Sequence, residues 1–177
     1  MLTVKSEMAV AGLTGQEITD FLLDPRDDRY QDWWPGAHRE FHILERCSGA
    51  GHVGDVVIMD EYIGPRHVRM TAEVIEVVPG EKLVWQLRRW RLRLPIRLTL
   101  SLQTGGGDVR LSHIITAGWS GRAGAFDRLW RLYFSRTFAS EMDRHVHTEF
   151  PLLRDLLHRE QLRSTACRGR AVSGEAS

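Results

Sequence analysis

The chain has 177 residues, of which 42% are hydrophobic and 27% charged, with a net charge of +1. That length suits one domain with a sizeable core, and the charge balance excludes a global field that would gather nucleic acid or anionic lipid. No apolar run approaches the ~18 residues of a bilayer span.

Leu2, Val4, Met8 and Val10 alternate with Thr3, Lys5 and Glu7, and Ser6 is the one polar residue on the apolar parity. Period two predicts a half-buried strand, and the segment lacks the continuous apolar core of a signal peptide. Thr14-Gly-Gln-Glu17 matches a capping box. Ile18, Phe21 and Leu22 follow at helical spacing, and Asp24-Pro25 ends that helix. A second short helix is predicted over Arg26 to Trp33, then a turn at Trp34-Pro35-Gly36.

Strand signals dominate from His38 onward: His38 to Cys47, Gly54 to Ile63, and Val68 to Val78, closed by Pro79-Gly80. Leu83 to Leu102 is too long for one strand. Its apolar parity changes between Leu87 and Trp90, and a one-residue slip turns side chains to the opposite face. Two strands joined near Arg88 to Leu94 resolve this, with Pro95 suited to a strand start or an edge. Gly105-Gly106-Gly107-Asp108 reads as a hairpin turn into a last strand, Asp108 to Trp119. These glycines precede a strand, so they are a poor phosphate loop, which should lead into a helix.

Phe126, Leu129, Trp130, Tyr133, Phe134, Phe138, Met142, Val146, Phe150, Leu153 and Leu157 recur at three- and four-residue steps. They predict one long amphipathic helix of about nine turns, kinked at Pro151. The expected domain is 1–161. The remainder, 162–177, is small, polar and non-periodic, and is expected to be a disordered tail. Cys47 and Cys167 lie far apart, so reduced thiols in a cytoplasmic protein are expected rather than a disulfide framework.

This order of elements resembles the START-related helix-grip superfamily. Two local segments also look like its bacterial polyketide cyclase/dehydratase-like members: Trp33-Trp34-Pro35-Gly36, and the strand, Pro-Gly turn and Leu-x-Trp strand of Ala72 to Trp85. The resemblance covers about residues 2 to 160. It implies an α+β helix-grip fold: a curved seven-stranded antiparallel sheet wrapped around one long C-terminal helix, with two short helices after the first strand. Its motifs mark turns and core positions, so it implies a cavity between sheet and helix and says little about chemistry.

Polar or aromatic residues on inward-facing positions are the candidates for such a cavity. His113 shares parity with Val109, Leu111 and Ile115, and a buried neutral imidazole there orients a ligand or moves a proton; the plainer account is a core histidine bonded to backbone. Trp33, Trp34, Tyr62, Trp85, Leu98, Ile115, Trp130, Tyr133, Phe134 and Phe138 are the other expected wall residues, with core packing the plainer account of each aromatic. Glu141, His145 and Glu149 are spaced four apart on the long helix. They form either a polar patch at the cavity mouth, with Glu141 or His145 facing ligand, or a solvated edge of ordinary ion pairs, and the solvated edge is the expected one. Asp60 and Glu61 alternate in a run whose inward face periodicity does not decide. Either could be a buried polar group, and exposure is the default because carboxylates are seldom fully buried.

No metal is expected: Glu141 and His145 have helical ligand spacing, but no third ligand is evident. No cofactor is expected. The run Arg88, Arg89, Trp90, Arg91, Arg93 and Arg97 is basic and aromatic, but its alternation fits a solvated face better than a nucleic-acid groove. No Gly-x-Ser-x-Gly elbow exists, and neither cysteine has an activating context.

The expected function is binding of a hydrophobic or aromatic small molecule of lipid, polyketide or isoprenoid-like chemistry. The alternative is a polyketide cyclase/dehydratase-type enzyme in which His113, Glu141 or His145 is the acid/base. A third reading is an interaction module with a collapsed, side-chain-filled interior. A homodimer is left open.

Overall fold

The computed structural model describes residues 1–48, 51–118, 130 and 133–173, with side chains to residue 165. In chain order the elements are β1 (Leu2–Ala11), α1 (Gly15–Leu23), α2 (Asp27–Trp33), β2 (His38–Glu45), β3 (Val56–Ile63), β4 (Arg66–Val78), β5 (Lys82–Arg89), β6 (Leu92–Gly105), β7 (Asp108–Ala117) and a long helix, α3 (Arg136–Ser173). The seven strands form one sheet in the order β1-β7-β6-β5-β4-β3-β2, and every neighbouring pair is antiparallel. This is the helix-grip fold. Residue 119, and residues 126–129 of the expected helix stripe, lie outside the described residues.

Local chemistry sets the joints. Thr14 Oγ1 accepts from Glu17 N at 3.2 Å while Glu17 Oε2 accepts from Thr14 N at 2.9 Å, so the capping box starts α1 by satisfying two free donors. Gly106 and Gly107 sit at φ 65° and 90°, and a two-residue turn of this kind needs positive φ at both positions. The parity change after Leu87 is resolved by a turn at Trp90, whose φ is 55°. Pairing then shifts between Gln86 and Arg88. The Gln86 amide fills the irregularity by donating to the carbonyls of Leu94 and Ile96, on either side of Pro95, which has no N–H to offer.

The C-terminal helix adds detail to the sequence reading at both of its ends. The long helix is interrupted, because Phe134 and Ser135 leave helical geometry and Ser135 Oγ accepts from Phe138 N at 3.2 Å. A serine in that position starts a new helix. The helix continues beyond Gln161 to Ser173. Helical hydrogen bonds are local and need no buried face, and the Ser164 and Thr165 hydroxyls bond back to the Gln161 carbonyl at 2.8 and 2.9 Å. Among the described residues no helix is long and apolar enough to cross a membrane.

The core lies between the sheet and α3. Phe138, Met142, Val146, Phe150, Leu153 and Leu157 are buried along one helix stripe, facing Val4, Val10, Leu100, Val109, Leu111 and Ile115 of β1, β6 and β7. Trp33 ties α2 to this helix by donating its indole N–H to the Glu149 carbonyl at 2.5 Å.

Candidate functional site

A cavity of about 740 Å³ lies within this grip, walled by residues of α1, α2, β2–β7 and α3 together with Trp130, Tyr133 and Phe134. Trp33, Trp85, Leu98, His113, Ile115, Trp130, Tyr133, Phe134 and Phe138 line it. Trp34 and Tyr62 do not: they line a separate outer groove with Gly64, Glu141 and Arg144. The reasons are simple. Adjacent residues at a helix end point apart, so Trp33 takes the interior and Trp34 the outside. On β3 the odd positions Met59, Glu61 and Ile63 face the cavity, which turns Tyr62 the other way. Glu141 is likewise outside the cavity, held by Arg144 at 2.9 Å.

Both carboxylates of β3 are buried, against expectation. Asp60 on the outer face is 3% exposed and is compensated by His67 at 2.6 Å, Arg69 at 3.6 Å and Arg39 at 3.9 Å. Glu61 on the inner face belongs to a different group. Its Oε2 accepts from the Tyr30 hydroxyl at 2.7 Å and lies 3.7 Å from His38 Nε2 and 3.5 Å from His145 Nε2. Glu149 Oε2 completes the set, 3.7 Å from His38 Nε2 and 3.3 Å from His145 Nε2.

The row Glu141, His145 and Glu149 therefore splits. Glu141 stays at the surface groove, while His145 and Glu149, 4% and 7% exposed, turn inward rather than forming a solvated edge. His145, Glu61 and Glu149 are on the cavity wall. His38 lies behind them, stacked on Tyr30 with ring centroids 4.0 Å apart and planes 5° from parallel. Trp33 and Trp34 meet His38 edge-on at 4.7 and 5.7 Å, and Trp34 covers His145 at 4.8 Å.

Charge in this cluster is strongly coupled. Burial disfavours a charged His145, but the carboxylates of Glu149 and Glu61 outweigh it and push its pKa up to about 10. For Glu149 burial works upward, and His145 with His38 outweighs it, bringing the pKa down to about 2. Glu61 is also lowered, His145 overcoming the effect of burial. Tyr30 is raised well above its ordinary value, first by burial and then by the Glu61 charge.

His113 is buried on the wall, and burial holds its pKa below the ordinary imidazole value, which favours the neutral form. Its cross-strand neighbour on β1 is Ser6, whose hydroxyl is buried without a hydrogen-bond partner among the described residues. The polar exception on the apolar parity of β1 thus sits beside the polar exception on β7.

Sequence reading missed His38 and Glu61 as members of one group with His145 and Glu149. The pairs Glu141/His145 and His145/Glu149 share the same i,i+4 spacing, so spacing alone does not pick out the inward pair. His38 opens a strand and has no periodic context of its own.

No family model matches the chain, and no curated protein matches it. Solved structures do. The crystal structure of TTHA0849 from Thermus thermophilus aligns with a TM-score of 0.57 at 11% identity, covering 90% of this chain and 99% of that one. The solution structure of KanY protein gives 0.55 at 13% identity, covering 88% and 97%. A crystal structure of protein NE0264 from Nitrosomonas europaea gives 0.51 at 12% identity, covering 89% and 96%. At such identities the likeness is one of fold.

Proposed function

We propose that the protein binds a hydrophobic or aromatic small molecule, of lipid, polyketide or isoprenoid-like chemistry, in the cavity between sheet and α3. The observation that carries this reading is a continuous space of about 740 Å³ inside the ~300–1,000 Å³ range of small-molecule sites. Its wall is mostly apolar, with His113 and the His145–Glu61–Glu149 group among its polar points. A ligand that buries about 300 Å² of apolar surface gains about 7 kcal/mol before the costs of association, less than the ~8 kcal/mol net that micromolar retention needs, so a larger buried area or paired polar groups must supply the rest.

Mass spectrometry of the protein sprayed under native conditions tests the proposal. An apolar molecule of matching size, retained at one per chain and released on denaturation, is the expected result. Protein that stays ligand-free after exposure to lipid and polyketide extracts would sink it.

A second reading is an enzyme of polyketide cyclase/dehydratase type. The observation favouring it is His145 set between two carboxylates on the cavity wall, where a proton can be held beside bound substrate. The two readings separate on His145→Ala, which weakens retention modestly in a carrier and collapses turnover in an enzyme.

A further inference from the structure

We propose that His38, Glu61, His145 and Glu149 form a binding site for one divalent transition-metal ion of the zinc class. The four donor atoms, His38 Nε2, His145 Nε2 and one oxygen of each carboxylate, all lie within 4.8 Å of one another. Each imidazole Nε2 is 3.3–3.7 Å from both carboxylates. Zinc–nitrogen and zinc–oxygen bonds of about 2.0–2.2 Å place neighbouring ligands of a tetrahedral ion about 3.3–3.6 Å apart. The spacing fits ligands around a common centre better than it fits hydrogen bonds, which close to about 2.7–2.9 Å between charged partners.

The nitrogens say the same independently. Neither Nε2 makes a hydrogen bond to any described residue, although the His38 and His145 side chains are 0% and 3% exposed. Buried polar atoms almost always find a partner; both Nδ1 atoms are orphaned as well, but it is the two Nε2 atoms that lie between the two carboxylates. The donors come from three elements, β2, β3 and α3, with His145 and Glu149 at the i,i+4 spacing that brings two helix side chains to one ligand.

Charge and support fit an ion. Two buried carboxylates match a divalent charge, and an imidazole that binds a metal does so through an unprotonated nitrogen. Two nitrogens with two oxygens suit zinc, cobalt, iron or manganese rather than calcium or magnesium, which prefer all-oxygen shells. Around the donors, the Tyr30 hydroxyl fixes Glu61 and the Tyr30 ring fixes His38 by stacking. The Trp33 indole anchors the helix turn that carries Glu149. Ring packing thus takes much of the orienting part that outer hydrogen bonds usually play in metal sites.

The inference is independent of what the cavity holds, so it is tested without an organic ligand. Tag-free full-length protein is stripped with chelator and titrated with zinc and, in parallel, cobalt. One equivalent of zinc should bind, the melting temperature should rise, and cobalt should develop the visible bands of a low-coordinate nitrogen/oxygen site. Glu149→Gln and His145→Gln should each weaken zinc at least ~100-fold, while His147→Ala, on the exposed face of α3, should leave it unchanged. Absence of stoichiometric binding of either metal to the unmutated protein overturns the proposal whatever the variants do. So does binding that persists in both glutamine variants.

Discussion

A single phenol holds one of the two inner carboxylates in place. Tyr30 is the hydrogen-bond donor to Glu61 at 2.7 Å, and Glu61 is 9% exposed, so water does not readily replace it. Tyr30→Phe keeps the ring that stacks on His38 and removes only the donor. Leaving a buried carboxylate short of one hydrogen bond costs about 1–3 kcal/mol, and urea denaturation of the metal-stripped protein should read a loss in that range. A change below about 0.5 kcal/mol would mean that Glu61 is satisfied elsewhere. Glu17 gives a second residue-level outcome, in pH. Burial raises its pKa, but hydrogen bonds from Thr14 and Gln161 outweigh that and hold it below 4.5. A lowered carboxylate contributes stability that is complete above the unfolded value and is lost as pH falls through the folded one. Denaturation midpoints measured from pH 6 down to pH 3 should therefore fall less steeply in Glu17→Gln than in the unmutated chain. Parity alone made His113 legible as an inward residue. It left Asp60 and Glu61 undecided, because Val56 to Met59 is apolar on both faces. Both are buried because each face supplies its own cations or donors, a fact of tertiary pairing that strand periodicity does not carry.

At the scale of elements, α1 is fastened across the sheet by one glycine. A Cβ built on Gly15 would stand 2.0 Å from the Gly80 carbonyl oxygen, backbone that cannot rotate away. Gly15 N also donates to Thr104 Oγ1 at 2.8 Å, and Gly80 N to Thr19 Oγ1 at 3.0 Å, so helix, β4–β5 turn and β6 meet at that point. Two effects oppose each other in Gly15→Ala. Alanine gains up to about 1 kcal/mol of helix propensity, and the clash forces α1 off the turn at about 1–3 kcal/mol or more. The clash wins, and thermal unfolding should show a lower melting temperature. An unchanged or raised value would show that α1 docks loosely. The start of α1 was readable in advance because a capping box is written in four consecutive residues. So was the β5–β6 turn, from a parity change. The break at Ser135 was not, since the apolar stripe runs on through Phe134 and Phe138 and one N-cap serine does not interrupt the pattern.

For the whole molecule the decisive matter is whether the grip encloses space or is packed shut, and substitution by size separates the two. Ile115 on β7 is 6% exposed and lies on the cavity wall. Val109 on the same strand and the same face is fully buried in the core and is not a cavity residue. In a packed interior, adding an indole at either position forces neighbours out of their rotamers and costs about 1–3 kcal/mol or more. In an open cavity of about 740 Å³, the larger ring at position 115 enters free space, gains contacts and costs little. Ile115→Trp should thus unfold within about 1 kcal/mol of the unmutated protein, while Val109→Trp should lose at least about 2 kcal/mol, both read by chemical denaturation. The same pair bears on binding. A cavity ligand at 100 times its dissociation constant stabilises the native state by about 2.7 kcal/mol, a rise of roughly 5–10 °C for a chain of this size. Ile115→Trp occupies part of that space and should shrink the rise without lowering the unliganded melting temperature. Equal destabilisation at both positions, with no ligand-dependent rise, would instead fit a filled interior and a protein that works through its surface.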